Sequence, residues 1–123
     1  MKKLLLHISL FFSLIGFSQN EQLAQYYYDK GDFEKAKISY EELLQSVPQN
    51  YQYFIRTIDC YQQLKQFEAA EKANQTRLDK YKQSSLLVEL GYNFKIQQQD
   101  EKAQKYFEQA LTKSNPTRTK CMA

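Results

Sequence analysis

Few side chains in this chain could make or break bonds, and their spacing suits none of the familiar mechanisms. The single histidine is His7, inside an N-terminal segment that reads as a removable leader. Without it, imidazole acid–base chemistry, Ser-His and Cys-His nucleophile pairs and histidine metal sites have no candidate. Cys60 and Cys121 stand 61 residues apart and make no zinc-type spacing. No G-x-G-x-x-G or G-x-x-x-x-G-K-[ST] string is present to cradle a phosphate. Carboxylates adjoin at Glu41-Glu42 and Asp100-Glu101, but they fall at helix-surface or cap positions and read as a solvated face. What remains abundant is contact chemistry, with ten tyrosines and sixteen glutamines. No catalytic residue, cofactor or metal site is expected.

The elements that carry these residues are helical. Three glycines and two prolines in 123 residues are too few for a sandwich or barrel, which needs a turn every eight to twelve residues. Apolar content of 42% supports a modest core in one domain. A formal charge of +3 lacks the clustered basic footprint of a nucleic-acid binder, so no nucleic acid is expected.

Met1-Lys2-Lys3 followed by the apolar run from Leu4 to Phe17 has the form of a secretory leader, and Gly16 and Ser18 supply small residues for cleavage after Ser18. The run is shorter than the ~20 apolar residues of a spanning helix, so a retained span is the weaker alternative and no membrane span is expected after cleavage. The ending Gly16-Phe17-Ser18-Gln19 resembles bacterial leaders, which predicts a periplasmic or secreted protein. Cleavage would remove Lys2, Lys3 and His7, leaving 15 basic against 14 acidic side chains.

An internal period organises the rest. Ala36, Ala70 and Ala103 are separated by 34 and 33 residues. Nine residues before each stands an aromatic, Tyr27, Tyr61 and Phe94, and thirteen before each stand Leu23, Thr57 and Leu90. The spacing predicts two helices per unit, at about 19–30, 33–46, 51–64, 67–82, 85–97 and 100–114. At these residues the chain resembles the tetratricopeptide repeat. Counted from residue 17, the first unit shows Leu23, Ala24, Tyr27, Gly31, Phe33, Ala36, Tyr40, Leu43 and Pro48 in matching places. Counted from residue 84, the third shows Leu87, Leu90, Gly91, Phe94, Ala103, Phe107, Ala110 and, one place late, Pro116, with Gln98 and Asp100 altering its turn. The middle unit keeps Phe54, Tyr61, Phe67 and Ala70 but places Thr57, Ile58, Asn74 and Arg77 where apolar or small residues are usual.

The resemblance implies an all-α, right-handed α-α superhelix (solenoid) of about three repeats and six helices. Its boundaries are a signal peptide at 1–18, a repeat domain at 19–116 with units of about 17–50, 51–83 and 84–117, and a tail at 117–123. Each helix pair has an apolar stripe that only a neighbouring unit can bury. Gly31 is expected in a left-handed cap, with Asp32 capping the next helix and Asp100 capping its counterpart in unit three. Gly91 is expected to allow close helix packing. Of the triplet Tyr26-Tyr27-Tyr28, the first is expected to be buried or inter-helical, the second core, and the third outward on the inner face. Cys60 occupies a place the family fills with a small buried residue, so it reads as an inert packed thiol. A disulfide to Cys121 or a reactive role is the alternative.

In that family the first helix of each unit lines a concave groove. Carried over by position, the partner-binding groove comprises Tyr28, Gln52, Ile55, Arg56, Asp59, Gln62, Tyr92 and Lys95, with Glu21, Gln22, Gln25 and Asp29 beside Tyr28. The places of the chaperone-tail carboxylate clamp hold Glu21, Gln25, Arg56, Ser85 and Glu89, so that clamp is missing. The resemblance therefore implies a non-catalytic scaffold that binds a peptide or helix of a protein partner in the bacterial envelope. The alternatives are a structural oligomerisation unit, self-associating through exposed Phe107 and Leu111 of an uncapped third repeat, or a truncated N-terminal piece of a larger repeat-containing envelope protein.

Overall fold

A computed structural model describes residues 20–114, which fold into helices with no strand among them. The leader, Pro116, Cys121 and the tail lie outside the described residues. The helices are α1 (20–29), α2 (Phe33–Ser46), α3 (Tyr51–Gln63), α4 (Phe67–Tyr81), α5 (Ser85–Lys95) and α6 (Asp100–Ser114). They coincide with the periodic segments to within a residue or two, because a stripe of apolar residues three and four apart is legible only on a helix. The chain divides into two compact units, Met1–Leu64 and Lys65–Ala123, and the division falls between α3 and α4.

In the first unit α1 ends where Gly31 turns left-handed, at φ +77°. The amide of Gly31 donates to the Tyr28 carbonyl at 3.0 Å and that of Asp32 to the Tyr27 carbonyl at 2.9 Å, so the last carbonyls of α1 are satisfied. Asp32 then caps α2 by accepting from the Lys35 amide at 3.4 Å, and Asn50 caps α3 by accepting from Tyr53 at 3.1 Å. α2 stops at Ser46, just short of Pro48, whose ring cannot continue a helix. The core joins Ala24 of α1, Ala36, Tyr40 and Leu43 of α2, and Tyr53 and Cys60 of α3. Tyr61 of α3 donates to Glu41 Oε1 of α2 at 2.5 Å, which pins the two helices in register.

In the second unit α5 packs between α4 and α6. Leu86, Leu87, Leu90 and Phe94 of α5 are buried, with Ala70 and Leu78 on α4 and Ala103 and Ala110 on α6. Phe94 stacks on Tyr106 with centroids 5.5 Å apart. Buried Asn93 donates through Nδ2 to the Phe67 carbonyl at 3.0 Å, which ties α5 to the start of α4. Gly91 lies under the Phe107 ring so closely that a Cβ would meet it at 2.5 Å, as the resemblance implies.

The left-handed turn recurs without glycine. Lys65 and Gln98, at the places of Gly31, have φ of +58° and +60°. Around Gln98 the hydrogen bonds repeat those of the first turn, with Gln98 donating to Lys95 and Gln99 to Phe94, both at 3.0 Å. The helix crossing imposes this turn whatever the residue, and a side chain there costs about 1–2 kcal/mol. Part of the gain from glycine is offset by its greater freedom in the unfolded chain. Gln98→Gly and Lys65→Gly are each expected to stabilise the protein by about 0.5–1 kcal/mol, read as a higher urea midpoint, and Gly31→Ala to destabilise it by a similar amount.

Three sequence expectations, for Asp100, Tyr26 and Tyr27, are corrected. Asp100 is the first residue of α6 rather than its cap, because the turn keeps the register of the first one and puts Gln99 at the place of Asp32, and the Asp100 carboxylate pairs with Lys95 Nζ at 2.8 Å. Tyr26 is 49% exposed rather than buried. Leu23, at the apolar place of the first helix, is 46% exposed. Both lie on the edge of α1 that no described helix covers. Tyr27 is half-buried against the core rather than fully within it.

Candidate partner-binding face

Helices α1 and α3 are the first helices of units one and two, and in the first compact unit they bring three of the sequence-derived groove residues into contact. Tyr28, near the end of α1, donates its hydroxyl to Asp59 Oδ2 on α3. The Arg56 guanidinium lies over the Tyr28 ring, 4.3 Å from its centroid, within the range of a cation–π contact. The other side of the pocket is aromatic, with Phe33 and Tyr40 meeting the Tyr28 ring edge-on at 5.7 and 6.4 Å. Burial, followed by the Asp59 carboxylate, pushes the Tyr28 phenol up, against the opposing pull of Arg56. Tyr28 is therefore a neutral donor at physiological pH, and Arg56 and Asp59 are held at fixed positions around it.

Beside this cluster, Gln25 accepts from the Tyr40 hydroxyl at 3.2 Å and donates to Asp29 Oδ1 at 2.7 Å. Glu21, Gln22, Gln25, Tyr26 and Asp29 line an open depression of about 530 Å³ along α1. On α3, Gln52 is exposed and Ile55 half-buried. Gln62 is a correction to the sequence reading, because it is buried. It continues the stripe of Phe54 and Ile58 at four-residue steps, and residues at that spacing share one side of a helix.

In the second unit, α5 presents exposed Tyr92 and, three residues on, Lys95, which share a helix face by spacing. Lys95 is engaged by Asp100 across the turn. The Tyr28–Asp59 bond joins residues 31 apart, and composition does not announce it. The repeat register could have found it, since it relates the last turn of one first helix to the body of the next.

The arrangement offers contact chemistry. Cys60 is fully buried, and burial pushes its thiol up to about 12, so the expected inert character holds at neutral pH. Among the described residues no group of three or more His, Cys, Asp or Glu side chains is placed to hold a metal, and no helix is long and apolar enough to cross a membrane.

Residues 20–50 and 84–112 each match the tetratricopeptide repeat. At these two places the helix pairs are of the tetratricopeptide-repeat type. The two matched segments contain α1–α2 and α5 with most of α6, the helix pairs whose turns share one hydrogen-bond pattern. No curated protein matches the chain. Repeats of this type generally mediate protein–protein contacts. The helices between the matched segments, α3 and α4, are the ones with buried Thr57, Asn74 and Arg77. Two of these polar groups bond within their own helix, Thr57 to the Tyr53 carbonyl at 2.8 Å and Asn74 to the Ala70 carbonyl at 3.1 Å.

Proposed function

We propose that this protein is a non-catalytic scaffold, exported by a bacterium, whose first-helix faces bind an extended peptide or a helix of a protein partner. The reading rests above all on the Tyr28–Arg56–Asp59 cluster. A half-buried arginine, already stacked and ordered, gives up little side-chain freedom on binding. Its planar donors suit a carboxylate or main-chain carbonyls, while Asp59 and the neighbouring amides suit main-chain N–H groups. Exposed Gln52 and half-buried Ile55 extend this face along α3, and Tyr92 and Lys95 offer similar chemistry on α5. The leader-like segment supports the envelope setting, with repeats at about 17–50, 51–83 and 84–117 following cleavage after Ser18. Mass spectrometry of the exported protein should then find Gln19 at its N-terminus.

The binding test is cross-linking in the envelope followed by capture of the tagged protein. Arg56→Ala with Tyr28→Phe is expected to weaken recovery of the partner about tenfold or more, in line with the cost of removing a central arginine anchor. Helicity should be nearly unchanged. Undiminished recovery by a folded double variant would rule this face out.

A further inference from the structure

On α1 and α6 several residues are more exposed than their counterparts at equivalent places in the repeat. The places of Leu23 and Tyr26 are held in later units by Thr57 and Cys60 and by Leu90 and Asn93, all four buried. In α1 the same places are nearly half exposed. At the other end, the counterparts of Leu111 are Leu44, half-buried, and Leu78, buried, yet Leu111 is 53% exposed. Phe107, the counterpart of buried Tyr40 and Asn74, is only half-buried. Together with Ala110 and exposed Val88 it lines an apolar cleft of about 400 Å³.

The first unit shows what normally covers such surfaces. There Tyr40 and Leu43 of α2 share a core with Tyr53 and Cys60 of α3, so the second helix of one repeat closes on the first helix of the next. The outer edge of α1 is the open second half of that junction, and the outer edge of α6 is its open first half. A polar match accompanies the apolar one. The α2–α3 junction is pinned by Tyr61 donating to Glu41. In register, Tyr27 of α1 stands at the place of Tyr61, and exposed Glu108 of α6 stands at the place of Glu41.

We infer that the occupant of each open edge is a second copy of this chain. The α6 face of one copy, with Phe107, Ala110 and Leu111, docks on the α1 face of the next, with Leu23 and Tyr26, and Tyr27 donates to Glu108. The contact continues the repeat junction from one molecule to another. Because it joins unlike faces, it is heterologous and leaves an open face at each end of every assembly.

Sedimentation velocity over a concentration series of the full chain tests this. The wild-type average mass is expected to rise with concentration and to pass that of a dimer. Leu111→Glu and Leu23→Glu each place a carboxylate in the apolar contact and are expected to weaken association at least about tenfold, while their exposure lets both variants fold with unchanged helicity. An equimolar mixture of the two variants retains one intact α6 face and one intact α1 face and is expected to form heterodimers that grow no further. Strictly monomeric wild-type protein would overturn the proposal, including the case in which residues before α1 or after α6 occupy the edges. A dimer insensitive to Leu23→Glu would also overturn it, because that pattern belongs to a symmetric contact through α6 alone. The Arg56→Ala, Tyr28→Phe variant is expected to associate like the wild type, so this proposal and the partner-binding one fail independently.

Discussion

Raising the pH from 7 toward 12 is expected to unfold the first unit before the second. Burial pushes up the phenols of Tyr28, Tyr40, Tyr53 and Tyr61, with Asp59 adding to the effect at Tyr28 and the Glu41 hydrogen bond adding to it at Tyr61. Burial likewise pushes the Cys60 thiol from 9.0 to about 12. For each group the folded state favours the neutral form. The sign follows: these contributions are intact below the ordinary thiol and phenol values and are lost as pH rises toward the folded ones. For Cys60 alone the three-unit rise corresponds to a loss on the order of 4 kcal/mol by pH 12, a large fraction of a typical domain's stability. All five groups lie in α1–α3, so hydrogen-exchange protection should be lost there first, with tyrosinate absorbance rising in step. Cys60→Ala should flatten the decline between pH 9 and 12, although it starts from a lower stability at pH 7. A stability independent of pH up to 12 would contradict the buried placement of these groups.

Gly91→Leu is expected to cost about 3 kcal/mol or more, the upper part of the overpacking range. A Cβ at residue 91 would stand 2.5 Å from Phe107 Cε1 and 2.6 Å from Cδ1, well inside contact distance, and α5 is held by buried Leu87 and Phe94, about one turn before and one turn after the site. Gly91→Ala sets two effects against each other. Alanine gains about 1 kcal/mol in helix propensity, while the clash takes about 1–3 kcal/mol, so the net change is expected between neutral and about 2 kcal/mol destabilising. Phe107→Ala opens the space, and in its background Gly91→Leu should cost far less. That coupling of about 0.5–3 kcal/mol, measured by urea unfolding of the double-mutant cycle, distinguishes a steric effect from general intolerance of the helix.

These two sites illustrate how much could be read from the chain. Gly91 was legible because a glycine inside a strongly apolar helical stripe wastes helix propensity unless something packs against it. Gly31 and Pro48 were legible because their backbone restrictions act locally, at the turn and the helix end where they stand. The first-helix face was partly legible: the register named Tyr28, Arg56 and Asp59, and the fold joins them. It also named Gln62, which the fold buries, because an amide gives no sign of which side of the apolar stripe it continues. Asp100 was placed one residue off, since the left-handed turn at Gln98 sets the start of α6 and glutamine does not advertise positive φ.

Periodicity determined the all-helical class, the helix limits and the two-helix repeat, because these depend on residues three, four and about 34 apart along one chain. Tertiary structure alone decided which equivalent residues are buried and which open. Leu23 and Leu90 are the same residue at the same place in the repeat, yet one is 46% exposed and the other fully buried. The difference lies in whether a neighbouring helix covers that edge, and a helix edge in a stacked array takes its environment from the next helix over rather than from its own sequence.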